Sequence, residues 1–171
     1  ITRNDVLTDI TAVSDKLKST GSLTIQSNKL LQTASFPLFE KGGSIDCKEN
    51  TALVTLSLPK LKEAAGMSIT NNAKLATIDM RVLESLTGFY ITGGYDAAQA
   101  LTSFDLPALK KCGQFTIVNC PGITNLDGFA NLETVTGDLT ISNAQIPGAS
   151  IKLKTINGFN KLSSITYSLF L

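Results

Sequence analysis

The chain has 171 residues and a mass of 18.1 kDa, room for one domain with a sizeable core. Fifteen Lys+Arg against fourteen Asp+Glu leave a net charge of +1, so there is no electrostatic case for nucleic acid or an acidic membrane surface as partner. Histidine is absent, which excludes Ser-His-Asp catalysis, Cys-His catalysis and His-ligated zinc together.

Val6, Leu7, Ile10, Val13 and Leu17 open the chain at helical spacing, with Asn4 or Asp5 as N-cap. They predict a short amphipathic helix across the first coil of a repeat array, making residues 1–20 an N-terminal cap. The alternative is an imperfect first coil.

From there an apolar-x-apolar triplet recurs. It reads Leu23-Thr24-Ile25, Ile45-Asp46-Cys47, Met67-Ser68-Ile69, Phe89-Tyr90-Ile91, Phe115-Thr116-Ile117, Leu139-Thr140-Ile141 and Leu169-Phe170-Leu171. The triplets end about 22, 22, 22, 26, 24 and 30 residues apart, a repeat-length spacing. Each has the period of a strand with one face buried. Gly21, Gly43, Gly66, Gly88, Gly113 and Gly137 stand just ahead, as expected of a tight corner with positive φ.

A second inward mark recurs at Leu56-Ser57-Leu58, Ile78-Asp79-Met80, Phe104-Asp105-Leu106, Leu126 and Ile156. Leu38, Leu61, Leu83, Leu109, Leu132 and Leu162 close each turn. Three inward marks per repeat describe a coil, and stacked coils pair their strands in parallel around one apolar column. The fold class is therefore mainly β, a right-handed parallel β-helix or leucine-rich-repeat-like solenoid of about six coils of 22–30 residues. It forms a single domain, 1–171, with the repeats over 21–171. Asn28, Asn50 and Asn72 recur three residues after the triplet, with Asn119 and Asn143 one residue earlier in later turns. They suggest an asparagine ladder; loop asparagines favoured by turn geometry are the alternative. Tyr167-Ser168-Leu169-Phe170-Leu171 ends the chain inside an apolar strand. An uncapped last coil of this kind implies a chain that continues, or end-to-end self-association with another copy.

Two turns are lengthened at the same corner, by Gly93-Gly94-Tyr95-Asp96-Ala97-Ala98 and by Gln145-Ile146-Pro147-Gly148-Ala149-Ser150. Insertions in solenoids collect on one face, often the binding face, and Tyr90 on the neighbouring outward position extends an aromatic patch with Tyr95. Tyr90, Tyr95 and Asp96 are the candidate ligand-binding residues; a tolerated loop without ligand is the alternative. Outward positions of the second strand read Ser35, Ser57, Asp79, Asp105, Asp127 and Asn157. The Asp79, Asp105, Asp127 stripe is either a solvated acidic column or, with enough oxygens, a Ca²⁺ site. Beside it runs a neutral column, Thr33, Thr55, Thr77, Ser103, Asn125 and Thr155.

Cys47, Cys112 and Cys120 form no CxxC pair and are too few for a disulfide framework, so buried thiols are expected and no cofactor is implied. No glycine-rich phosphate loop occurs. No apolar run approaches a bilayer span, so this segment is not expected to insert in a membrane.

The G-x-L-x-I, N, L-x-x-L-x-L and L marks resemble the receptor L-domain and its relatives among bacterial leucine-rich surface proteins and fungal cell-wall proteins. Leu53-Val54-Thr55-Leu56-Ser57-Leu58-Pro59-Lys60-Leu61, followed by Gly66-Met67-Ser68-Ile69-Thr70-Asn71-Asn72, shows them in order. The resemblance runs from about residue 17 to the last residue, without the cysteine-rich flanks of growth-factor receptors and without the Leu-x-x-Leu-x-Leu-x-x-Asn consensus of a plain horseshoe. It implies a solenoid and a non-catalytic extracellular or cell-surface recognition module for a protein or glycan. The alternatives are a carbohydrate-active β-helix enzyme using the Asp79/Asp105/Asp127 stripe, or a structural spacer.

Overall fold

The computed structural model describes residues 1–93, 100–142 and 152–171. They form a mainly β, parallel β-solenoid of about five turns. Its early coils alternate a long strand with a short one: β1 (Ser19–Gln26), β2 (Thr33–Ser35), β3 (Lys41–Lys48), β4 (Thr55–Ser57), β5 (Glu63–Thr70), β6 (Thr77–Asp79) and β7 (Ser85–Thr92). Then follow β8 (Lys111–Val118), β9 (Thr134–Val135), β10 (Leu139–Ser142), β11 (Ser164–Ile165) and β12 (Leu169–Phe170). The main sheet runs β1-β3-β5-β7-β8-β10-β12, and the second sheet β2-β4-β6, every neighbour parallel.

The register is the one the triplets predict. Ile25, Cys47, Ile69, Ile91, Ile117 and Ile141 stand opposite one another in turn, and Leu139 faces Leu169. A one-residue slip would turn each row of apolar side chains out to water, which is what pins the pairing. The inward columns are buried almost completely, from Leu23 and Ile25 to Leu139 and Ile141. In the later coils the core is aromatic: Phe89 stacks on Phe115 with ring centroids 5.2 Å apart, and Phe115 meets Phe129 edge-on at 5.1 Å. Phe129 stacks on Phe159 at 5.4 Å.

The mark closing the first coil is Phe39 rather than Leu38. Phe39 donates its N–H to the Phe36 carbonyl as Leu61 does to Leu58, and it is fully buried while Leu38 is only half-buried. The second sheet stops after β6. Its fourth position is a single bridge from Asp79 to Asp105, and at the fifth and sixth the coils run into 3₁₀ turns at Asp127–Phe129 and Asn157–Phe159.

The predicted helix over 5–17 is one turn, α1 (Thr11–Ser14). Val6 and Val13 face solvent, and only Ile10 of the predicted apolar stripe is buried, with Leu7 and Leu17 packed against the core's edge. Residues 1–3 instead lie along β1: Thr2 bridges to Gln26, Arg3 donates to the Gln26 carbonyl, and the Ile1 ammonium donates to the Thr24 carbonyl. At the other end Tyr167, Leu169, Phe170 and Leu171 are all more than half exposed.

Corner chemistry departs from expectation in one respect. None of the corner glycines has a positive φ. Among the described residues the left-handed ones are Arg3, Ser27, Glu49, Asn71 and Asn119, with φ of 52°, 56°, 56°, 55° and 53°. Glycine is required for closeness instead: a Cβ on Gly43 would stand 2.0 Å from the Gly21 carbonyl oxygen, and one on Gly113 1.8 Å from that of Thr87. Ser27, Glu49 and Asn71 are each followed by an asparagine, and Asn28, Asn50 and Asn72 form the ladder, whereas Asn119, read from the sequence as a ladder member, takes the left-handed position itself and is followed by Cys120. Asn28 donates its backbone N–H to Asn50 Oδ1 at 3.1 Å, and Asn50 donates its own to Asn72 Oδ1 at 2.9 Å. The amides donate back to the coil before, Asn50 Nδ2 to the Ile25 carbonyl and Asn72 Nδ2 to the Cys47 carbonyl, both at 2.9 Å. Asn143 lies outside the described residues.

Candidate functional site

Along each long strand, inward positions alternate regularly except at one place. Between Thr20 and Leu23, Gly42 and Ile45, Ala64 and Met67, and Leu86 and Phe89, two consecutive residues stay outside. The pairing reflects it, passing from Thr20↔Gly42 to Ser22↔Ser44. The strand bends there, and because every coil bends at the same point the outer face of the main sheet is creased into a groove parallel to the solenoid axis. Two abutting depressions of about 680 and 240 Å³ mark it.

The floor is backbone and small side chains: Gly21, Gly43, Ala65, Gly66 and Gly88. Larger side chains at the bend would fill the crease or strike the carbonyl of the coil below. One wall carries Ser19, Lys41, Glu63 and Ser85, the other Asp46, Ser68 and Tyr90, while Gln114 stands beside Gly88 at the end of the floor column. Lys41 Nζ pairs with Glu63 at 2.6 Å, and Asp46 pairs with Lys48 at 3.1 Å. Tyr90 stands opposite Ser68 on one side and Thr116 on the other, and the residue is 42% exposed. The Thr116 hydroxyl beside it is buried and has no hydrogen-bond partner.

Of the three sequence-predicted binding residues, Tyr90 lines this groove, while Tyr95 and Asp96 lie outside the described residues, as does the second insertion. The acidic column occupies the other sheet. Asp79 pairs across to Asp105, in the register expected, and Thr33, Thr55 and Thr77 stack beside it. The carboxylates nevertheless do not act as a set. Arg81 clamps Asp79 through Nε at 2.9 Å and Nη2 at 2.5 Å, and this holds the Asp79 carboxyl below the ordinary carboxylate range. Asp127 starts a 3₁₀ turn and accepts the Thr155 hydroxyl at 3.2 Å. Asp105 packs where a Cβ on Gly128 would stand, its Oδ1 only 2.1 Å from that position. Among the described residues no three carboxylate or thiol groups converge to hold a metal ion. The three cysteines are free and buried. Burial raises the thiols of Cys47 and Cys112 to about 12 and that of Cys120 to about 11, values at which a thiolate nucleophile is not populated near neutral pH.

The groove was the feature missed from the sequence. Its signal was there: two adjacent non-inward residues ahead of every triplet, small in most coils. Among the described residues no helix is long and apolar enough to cross a membrane. No family model, no curated protein and no solved structure matches the chain.

Proposed function

We propose that the chain is a non-catalytic recognition module of the extracellular space or cell surface, of the receptor L-domain type, binding a protein or glycan through the creased face of its main sheet. The observation that carries this reading is the continuous groove, walled by polar side chains and Tyr90 and floored by paired backbone. Strands hydrogen-bonded on both sides hold such a surface in one shape, so little conformational freedom is lost on binding. The sequence resemblance to receptor L-domains supports the location. A carbohydrate-active enzyme takes second place, because its candidate carboxylates lie on the other sheet and Asp79 is neutralised by Arg81.

The test is a thermal-shift screen against glycans and extracellular-matrix proteins, with and without calcium. A reproducible rise in Tm, reduced in Tyr90→Ala, is the expected result. No shift with any ligand would leave the spacer reading, in which the solenoid only sets a distance between other parts.

A further inference from the structure

We propose that the groove takes a neutral, linear glycan lying along the solenoid axis, an assignment that rests on the recognition reading above. Three features of the walls select this class. The charges lining the groove are already matched: Lys41 holds Glu63 at 2.6 Å, and Lys48 holds Asp46 at 3.1 Å. A uronate or sulfate would have to break one of these pairs to find a cation; Lys111, which continues the first wall beyond Ser85, lies outside the lining. What remains is hydroxyl and amide: Ser19, Ser44, Ser68, Ser85, Thr87 and Gln114. These groups both donate and accept, as sugar hydroxyls do.

Shape and the one aromatic wall residue point the same way. Pocket-lining residues come from four consecutive long strands, β1, β3, β5 and β7, so the groove extends about 15 Å at the usual strand spacing. It runs across the strands, whose backbone groups are already engaged with their neighbours. A peptide therefore finds no free sheet edge in it to pair with, which is how extended peptides are usually held. Tyr90 offers a half-open ring face with a polar tip, the form that accepts the C–H face of a sugar ring.

Calorimetry tests this with short and long neutral oligosaccharides (cello-, laminari-, manno- and chito-series) and with anionic ones (oligogalacturonate, heparin fragments). Gly88→Trp is the blocking variant, because a Cβ there meets nothing within 4 Å and Gly88 has no positive φ, so the side chain enters the groove without moving the coil. The expected result is binding of a neutral series that strengthens with chain length. It should weaken at least about tenfold in Gly88→Trp and in Tyr90→Ala, with circular dichroism and urea midpoints unchanged. If Gly88→Trp does not fold, Ser68→Trp on the wall that carries Tyr90 takes its place. Binding of anionic chains alone, or neutral binding indifferent to the blocking variants, overturns the proposal. A protein ligand displaced by Gly88→Trp, with no oligosaccharide bound, overturns the glycan assignment but leaves the recognition reading standing. No ligand of any class overturns both.

Discussion

Replacing Asn50 with alanine perturbs the ladder at its middle, where the most hydrogen bonds meet. Asn50 is fully buried. Its Oδ1 accepts both the backbone N–H and the side-chain amide of Asn28, at 3.1 and 3.0 Å. Its Nδ2 donates to the Ile25 and Lys48 carbonyls and to Asn72 Oδ1. Alanine leaves the buried Asn28 N–H without an acceptor, a cost of about 1–3 kcal/mol. It also removes the donations to Ile25 and Asn72, each worth about 1 kcal/mol net. The Lys48 carbonyl keeps the Ser27 N–H at 3.0 Å and adds little. The sum is about 3–5 kcal/mol, or a fall of about 10 °C in Tm for a chain of this size. Asn28→Ala is the internal control. There the backbone N–H keeps its acceptor on Asn50 and Oδ1 has no partner to lose, so about 1–2 kcal/mol is expected. Urea unfolding followed by circular dichroism gives both values, and hydrogen exchange at the Asn28 amide reports the orphaned donor directly. A cost below about 1 kcal/mol for Asn50→Ala, or equal costs for the two variants, would refute the ladder as a structural element.

The close approach of coils predicts that Gly43→Ala and Gly113→Ala each destabilise by several kcal/mol, since the clashing atom is a backbone carbonyl that cannot rotate away. Gly88→Ala, with open space around its Cβ, should be neutral or stabilise by about 0.4–1 kcal/mol; equal urea midpoints for the three would contradict the packing. The thiols of Cys47, Cys112 and Cys120 should resist iodoacetamide at pH 8 in the native protein and all react in denaturant, because burial holds them at about 12, 12 and 11. Mass spectrometry showing native labelling of any of them would disprove its burial. Arg81 depresses the Asp79 pKa, so the pair's contribution is fully present above the unfolded Asp value near 3.8 and is lost as pH falls through the lower folded value. The stability difference between the wild type and Arg81→Ala should therefore be constant near neutral pH and vanish in acid. With the Arg81 side chain 66% exposed and screened by solvent it should stay small, and a difference that grows on acidification would reverse the assignment.

The inward columns were legible because a triplet with period 2 and a nearly constant offset leaves one arrangement that buries every apolar residue. The bend was blurred because its glycines fall in two adjacent columns: Gly21, Gly43 and Gly113 in one, Gly66 and Gly88 in the next. Read as one column they suggested a left-handed corner. The left-handed corner residues are of mixed type, Ser27, Glu49, Asn71 and Asn119, so no single residue marks the column. The helix over 5–17 failed for a different reason. Its apolar spacing fits a helix, but the chain before it is tied down as a strand against β1, leaving one helical turn to cover the core's edge. Tyr90 was legible as an outward residue of a strand, whereas the crease beside it exists only once the coils are stacked.

The corner is a more general device than the asparagines that first reveal it. Arg3 has a φ of 52°, and the Ile1 carbonyl accepts the Asn28 amide at 3.1 Å, as the Ile25 carbonyl accepts that of Asn50. The first residues therefore rebuild the same corner beside β1. At the far end of the column Cys120 follows left-handed Asn119, and its thiol donates to the Val118 carbonyl two residues back at 3.3 Å. That is the bond Asn50 and Asn72 make to Lys48 and Thr70. At these three positions the side chain supplies a donor for the carbonyl two residues earlier, and asparagine is one way to do so, while at Asn28 the Arg3 N–H takes the Gln26 carbonyl instead. Cys120→Asn should then cost less than about 1 kcal/mol, because the amide inherits the thiol's bond. The same substitution at Cys47, on the inward column between Ile25 and Ile69, buries an amide among apolar side chains and should cost at least about 2–3 kcal/mol. Urea midpoints of the two variants decide the matter. Equal losses would mean that Cys120 is an ordinary core thiol and that the ladder ends at Asn72.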